Sequence, residues 1–135
     1  MTDPTRYVRK ALTDALKLND FVLYGQNPPS SAVAPYGILT VNTAGISAKN
    51  CEMYRTTTTI EIYSEWREYG GRKSIDEISD NIIGLMVPNN YTYLTIDGFT
   101  HANVKLVSSD ERVSVVDSVT TYIKTMRFEH LISKN

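Results

Sequence analysis

Glu52–Trp66, EMYRTTTTIEIYSEW, is the stretch on which the fold turns. β-Branched and aromatic residues dominate it, as they do in half-buried pleated strands. Its period is two. Thr56, Thr58, Ile60, Ile62, Ser64 and Trp66 fall on one face, and Met53, Arg55, Thr57, Thr59, Glu61 and Tyr63 on the other. The first face is the core face, anchored by Ile60, Ile62 and Trp66. Fifteen residues at ~3.3 Å each would span roughly 50 Å, well beyond an ordinary strand. Part of the segment is therefore expected to project past the sheet as a long β-hairpin arm. The other strand of that arm is Tyr36–Asn42 (YGILTVN), and Thr43–Cys51, with Gly45 and Asn50, reads as an exposed loop between them.

Outward from this strand the chain alternates in type. Near the N-terminus Asp3 can cap a helix that has Pro4 in its first position. Val8, Ala11, Leu12, Ala15 and Leu16 form its apolar face, and Arg6, Arg9, Lys10 and Lys17 lie opposite, diluted by Asp3, Asp14 and Asp20. Phe21–Tyr24 reads as a short strand, and Gln26–Pro35, with three prolines, as a loop. After the long strand, Arg67–Lys73 turns around Gly70-Gly71. Ser74-Ile75-Asp76-Glu77 then fits a capping box for a second helix with Ile75, Ile78, Ile82, Leu85 and Met86 on its apolar stripe. Gly84 suggests close packing, and Pro88 ends the helix. Tyr93–Ile96 is a short strand, Asp97-Gly98 a turn, and Phe99–Val107 a strand. Ser108–Asp117 reads as a connection in which Val113–Val116 extends the flanking strands. Ser118–Ile132 is the last strand; the parities of Tyr122, Met126 and Phe128 and of Ile123 and Leu131 leave its buried face open. The expected fold is α+β: an antiparallel (mixed) β-sheet with two helices packed on one face, in the order α-β-β-β-α-β-β-β.

The chain has 135 residues, one domain's worth, so residues 1–135 are read as a single domain. Fourteen Lys and Arg against fifteen Asp and Glu leave a net charge of −1. That balance argues against a dedicated nucleic-acid binder, whose affinity rests on neutralising phosphates. A lone cysteine, Cys51, cannot form an intrachain disulfide. The start, MTDPTRYVRK, has no apolar core of a secretory signal, and no apolar run approaches the ~20 residues of a membrane helix.

The side chains that carry chemistry have simpler explanations. His101 and His130 lie in expected strands with no second histidine or cysteine at ligand spacing, and read as surface or edge-strand residues. Cys51 has no neighbour that would lower its pKa. Asp76 and Asp80 stand one turn apart and could share a cation, but acids are expected at a helix start. Asp110-Glu111 reads as a solvated turn. Gly70-Gly71 precedes a helix, yet neither nucleotide-binding glycine motif is present. What these readings leave unexplained are long strands with free edges, which aggregate unless covered, broken or paired with a defined partner.

In order, a helix (RYVRKALTDALKL), a proline-led strand (APYGILTV), a long polar strand (TTTTIEIYSE), a glycine–basic turn (YGGRKS), a helix (SIDEISDNIIGLM), the step LTIDGF and a closing strand (TMRFEHLI) make a pattern. Over nearly all of residues 6–132 it resembles the tail terminator, or tail completion, proteins of long-tailed bacteriophages. The Val113–Val116 segment departs from that pattern. The resemblance implies a non-enzymatic virion protein, made in the host cytoplasm and without cofactor or metal. It implies a hexameric ring that caps the head-proximal end of the tail tube, stops its growth and joins the tail to the head connector. Partners would be further copies, the tube protein and the connector or neck proteins, with DNA only passing through the channel and no membrane. Interface candidates on this basis are Thr43, Gly45, Ile46 and Lys49 of the loop, Arg55, Thr57 and Thr59 of the arm, and Arg67, Tyr69 and Arg72 of the turn. The alternatives are a head–tail connector or adaptor ring subunit, a small enzyme using His101 or His130 with a carboxylate, and a nucleic-acid-binding module.

Overall fold

A computed structural model of the chain describes residues 3–18, 21–25, 28–29, 35–46, 53–66, 72–88 and 93–135, with residues 46, 66 and 72–74 described through their backbone alone. Within them the elements are α1 (Thr5–Leu18), β1 (Leu23–Tyr24), β2 (Tyr36–Ile46), β3 (Met53–Trp66), α2 (Arg72–Met86), β4 (Phe99–Val116) and β5 (Val119–Lys134). The strands form one sheet in the order β1-β2-β3-β5-β4. β1 runs parallel to β2, and every other pair is antiparallel. The α+β reading with a mixed sheet holds.

β3 sits in the middle because its even-numbered residues can be buried. Tyr54, Thr56, Thr58, Ile60, Ile62 and Ser64 are all buried, and the odd-numbered residues between them are half-buried or exposed. The register carries this parity outward: Ile60 opposes Leu39 of β2 and Met126 of β5, and Thr58 opposes Val41 and Phe128. The open question of the last strand is thereby answered, since Met126, Phe128, His130 and Ile132 are its core residues. Both helices lie on this same face. α1 buries Val8, Leu12 and Leu16, and α2 buries Ile75, Ser79, Ile82 and Met86, with Ile78 and Leu85 at the margin. Asp3 caps α1: its Oδ1 accepts the Thr5 N–H at 2.9 Å and the Thr5 hydroxyl at 2.7 Å. These bonds hold the Asp3 carboxyl below the usual carboxylate range.

Several boundaries differ from the sequence reading. Thr43–Ile46 is strand, not loop, because Thr43↔Thr56 through Ile46↔Met53 continue the β2–β3 ladder; residues 47–51 of the expected loop lie outside the described residues. The Ser108–Asp117 connection is also strand. β4 pairs with β5 as far as Val116↔Val119, so Asp110-Glu111 is not a turn. The reason it escaped notice is physical. Register shifts between His101 and Asn103 and between Leu106 and Ser108 reset the alternation twice, and the far half of the strand is exposed, so no apolar period marks it. The hairpin reaching furthest is thus β4–β5. Its turn is Asp117-Ser118, both with positive φ (49° and 64°), the geometry of a tight two-residue turn without the usual Asn-Gly signal. Tyr93–Ile96 is not a strand; Ile96 makes a single bridge to Phe99 around Gly98 (φ 79°). α2 begins at Arg72, which leaves Ser74 inside the first turn rather than at the cap. Gly84 faces open space and packs against nothing.

Gly37 does mark a close approach. A Cβ there would meet Leu23 Cδ2 at 2.6 Å and the Phe21 ring at 2.9 Å, because β1 is pressed sideways into β2 over the core. Gly37→Ala is expected to cost about 1–3 kcal/mol in urea unfolding, the usual range for overpacking. The opposite sign is expected at the hairpin tip. Replacing Asp117-Ser118 with Asn-Gly relieves two positive-φ positions and should raise stability by roughly 0.5–1 kcal/mol in the same assay.

Candidate assembly surfaces

No described helix covers the second face of the sheet. Arg55, Thr57, Thr59, Glu61 and Tyr63 of β3 line its centre, and the charges there pair among themselves. Glu129 Oε1 sits between Arg55 Nε at 3.4 Å and Lys105 Nζ at 3.6 Å. Glu61 Oε2 accepts the Tyr63 hydroxyl at 2.8 Å and lies 4.0 Å from Arg112. Burial first, then the Glu61 carboxylate, pushes the Tyr63 phenol upward. Tyr63 also stacks on Tyr36, with ring centres 5.3 Å apart. Exposed pairs of this kind contribute little stability. They make a polar face of mixed charge.

Of the candidates the sequence suggests, Arg55, Thr57 and Thr59 are brought together on that face. Thr43 is not with them. It lies on the helix-covered side, where its hydroxyl is 2.8 Å from the Thr5 hydroxyl and 3.4 Å from that of Thr56, tying α1 to the β2–β3 pair. Gly45 is exposed near the end of β2 and, with Asp3, Thr43 and Tyr54, borders an open depression of about 360 Å³. Ile46 closes β2 and Arg72 opens α2. Lys49, Arg67 and Tyr69 lie outside the described residues, as do Cys51 and Gly70-Gly71.

The surface that sequence reasoning missed is the edge formed by β4. The strand has 18 residues and, among the described residues, is paired along one side only. It exposes Leu106, Val107, Val113, Val115 and Val116. Among the described residues, the other large apolar side chains left exposed are Leu18, at the end of α1, and Val22, just before β1. An apolar, unpaired edge of this length is a pairing template unless something covers it.

His130 corrects the sequence reading: it is 1% exposed on the core face of the inner strand β5. His101 is an edge-strand residue, as read, on β4, and is half-buried beside it. His101 Nε2 and His130 Nδ1 are 3.2 Å apart, His101 Nδ1 lies 2.7 Å from the Leu94 carbonyl, and His130 Nε2 lies 2.9 Å from the Thr58 hydroxyl. A carbonyl only accepts, so neutral His101 donates from Nδ1. Its Nε2 then accepts from His130 Nδ1–H, and His130 Nε2 accepts the Thr58 hydroxyl. Every ring nitrogen is used. Burial pushes the His130 pKa down to about 3, with His101 as the second cause, and burial also lowers that of His101. The parity shared with Met126, Phe128 and Ile132 was the signal for His130. Nothing in the sequence alone pairs it with His101.

Among the described residues no group of three His, Cys, Asp or Glu side chains could hold a metal ion. Asp76 is instead 3.9 Å from Lys124 Nζ, which also meets Glu111 at 3.5 Å, and Asp80 is exposed. No described helix is long and apolar enough to cross a membrane.

The histidine pair generates a pH dependence. Between the ordinary imidazole value of 6.5 and about 3, the unfolded chain binds a proton at His130 that the folded chain refuses. Stability is therefore full above about pH 6.5 and falls as the pH drops, by up to about 1.4 kcal/mol per unit for His130, and burial of His101 acts in the same direction. Urea midpoints measured from pH 7.5 to 4.5 are expected to trace this loss, and His130→Phe should make the acid slope shallower.

Neither a family model nor a curated protein matches the sequence. Among solved structures, the fold is similar to that of a chain in the virion of a native gene transfer agent particle, with a TM-score of 0.66. The match covers 96% of this chain and 93% of that one at 14% identity, which makes the shared property the fold.

Proposed function

We propose that this chain is a structural subunit of a phage-type virion and that its work is assembly, with no bond made or broken. The observation that carries the reading is the end-to-end likeness to a virion chain: 96% and 93% of the two chains superimpose, so the likeness spans the whole arrangement and not one supersecondary unit. Within that reading, the order of segments supports a tail terminator. Its copies would close into a ring of six, cap the tail tube, stop tube growth and present the surface to which the head connector binds.

Physical features agree with this role. The net charge of −1 lets a ring surround passing DNA without holding it, since tight phosphate neutralisation would slow ejection. A long unpaired edge suits a protein that completes its sheet with a neighbour. The histidines, the obvious candidates for acid–base catalysis, have their nitrogens engaged with each other, Leu94 and Thr58 inside the core. A structural role accounts for them.

The test is assembly in the absence of the protein. Tails made without it should grow tubes of uncontrolled length that fail to join heads, and adding purified protein should restore uniform length. Native mass spectrometry should find a closed oligomer, free or on tube ends. Binding to portal-bearing heads before tails would identify a connector subunit instead. A monomer without effect on tube length or joining would overturn the reading.

A further inference from the structure

We infer that the two margins of the sheet are the two halves of one joint: the β4 edge of one copy docks on the α1–β1 edge of a second copy. The inference rests on the assembly reading above and supplies the surfaces for it.

The strand order places β4 and β1 at opposite ends of the sheet, so they cannot meet within one chain. Yet each carries what the other lacks. On one side, Val113, Val115 and Val116 are exposed at the end of β4; on the other, Leu18 and Val22 are exposed. The charges are complementary. On α1, Arg9 and Lys17 are exposed bases, whereas Arg6 lies over the Tyr7 ring and Lys10 borders a depression with Asp14, Thr95 and Asp97 on the other flank. Arg9 leans over the β1 side, where a Cβ placed on Gly25 would meet its Cδ at 3.8 Å. The β4–β5 tip presents Asp110, Glu111 and Asp117 against the single base Arg112. Glu111 and Arg112 are engaged inside the subunit with Lys124 and Glu61. Asp110 and Asp117 have no ion-pair partner among the described residues, and neither has Lys17.

The chemistry that would recognise the acidic, valine-rich edge is thus a basic, apolar-flanked one, and this chain carries it at the other end of its own sheet. Two acidic tips repel each other, as do two basic α1 faces, so like charge selects the head-to-tail arrangement. A contact between two different patches of the same chain propagates, closing into a ring when the rotation permits.

The experiment uses full-length protein with Cys51→Ser, so that introduced thiols are the only ones. Val22→Cys and Val115→Cys together are expected to give a ladder of disulfide-linked multimers under mild oxidation, while either alone stays monomeric on a non-reducing gel. In parallel, D110K/D117K should weaken the native oligomer at least tenfold in apparent Kd by sedimentation, and adding R9E/K17E should restore it to within threefold. Val22, Val115, Asp110, Asp117, Arg9 and Lys17 are exposed, and thermal melts check that the variants fold. Dimers from Val115→Cys alone would mean symmetric β4–β4 pairing and would overturn the inference. An intact oligomer that neither cross-links nor responds to charge reversal would overturn it too, leaving the ring reading in place. A wild-type chain that stays monomeric even with tail tubes present would overturn both.

Discussion

The antiparallel ladder between β3 and β5, from Met53↔Ser133 to Trp66↔Thr120, is the constraint on which the rest of this structure depends. The strands are far apart in sequence, and their pairing closes a long loop that contains α2 and all of β4. It fixes parity across the sheet. Once Ile60 opposes Met126, Ile62 must face the helices, and Arg55 and Glu129 must share the other face. A slip of β3 by one residue would turn Ile60 and Ile62 outward and bring Arg55 into the core, and a slip of β5 would do the same to Phe128 and Glu129, so the register is strongly specified. β2 and β4 are then added at the two flanks of a pair that is already defined.

That ladder also explains why polar groups can be buried at its centre. Thr58 and His130 come onto the core face through the same alternation that buries Ile60 and Phe128. A buried hydroxyl and a buried imidazole are costly without partners. Here they partner each other, and His101 and the Leu94 carbonyl complete the chain of bonds. The segment before β4 is thereby attached to the core by polar contacts of defined direction. Histidines used this way hold shape at neutral pH and oppose it in acid.

The helices cover one face, and among the described residues nothing covers the other face or the two margins. A monomer of this design would carry an unpaired apolar edge in solution, an aggregation hazard that natural sheets suppress. In a subunit that completes itself against neighbours the same edge is functional. On the open face opposite charges pair within the subunit, whereas Asp110, Asp117 and Lys17 have no ion-pair partner among the described residues.

By itself the sequence determined the α+β class, both helices, the position and core face of β3, and the absence of any compact catalytic motif. These are local matters: a period of two or of 3.6, a cap, a proline, all read from neighbours in the chain. It did not determine the length of β4, the core face of β5, the meeting of His101 with His130, or the contrast between the two margins. β4 is strand beyond Val107 because β5 lies beside it, not because its own residues alternate; two register shifts erase the period, and pairing with residues 119–127 supplies what propensity does not. The histidine pair joins positions 29 residues apart, and the margins are defined only by which strand ends up last in the sheet. Both are properties of the register, which forms between distant segments and is therefore written in the tertiary structure alone.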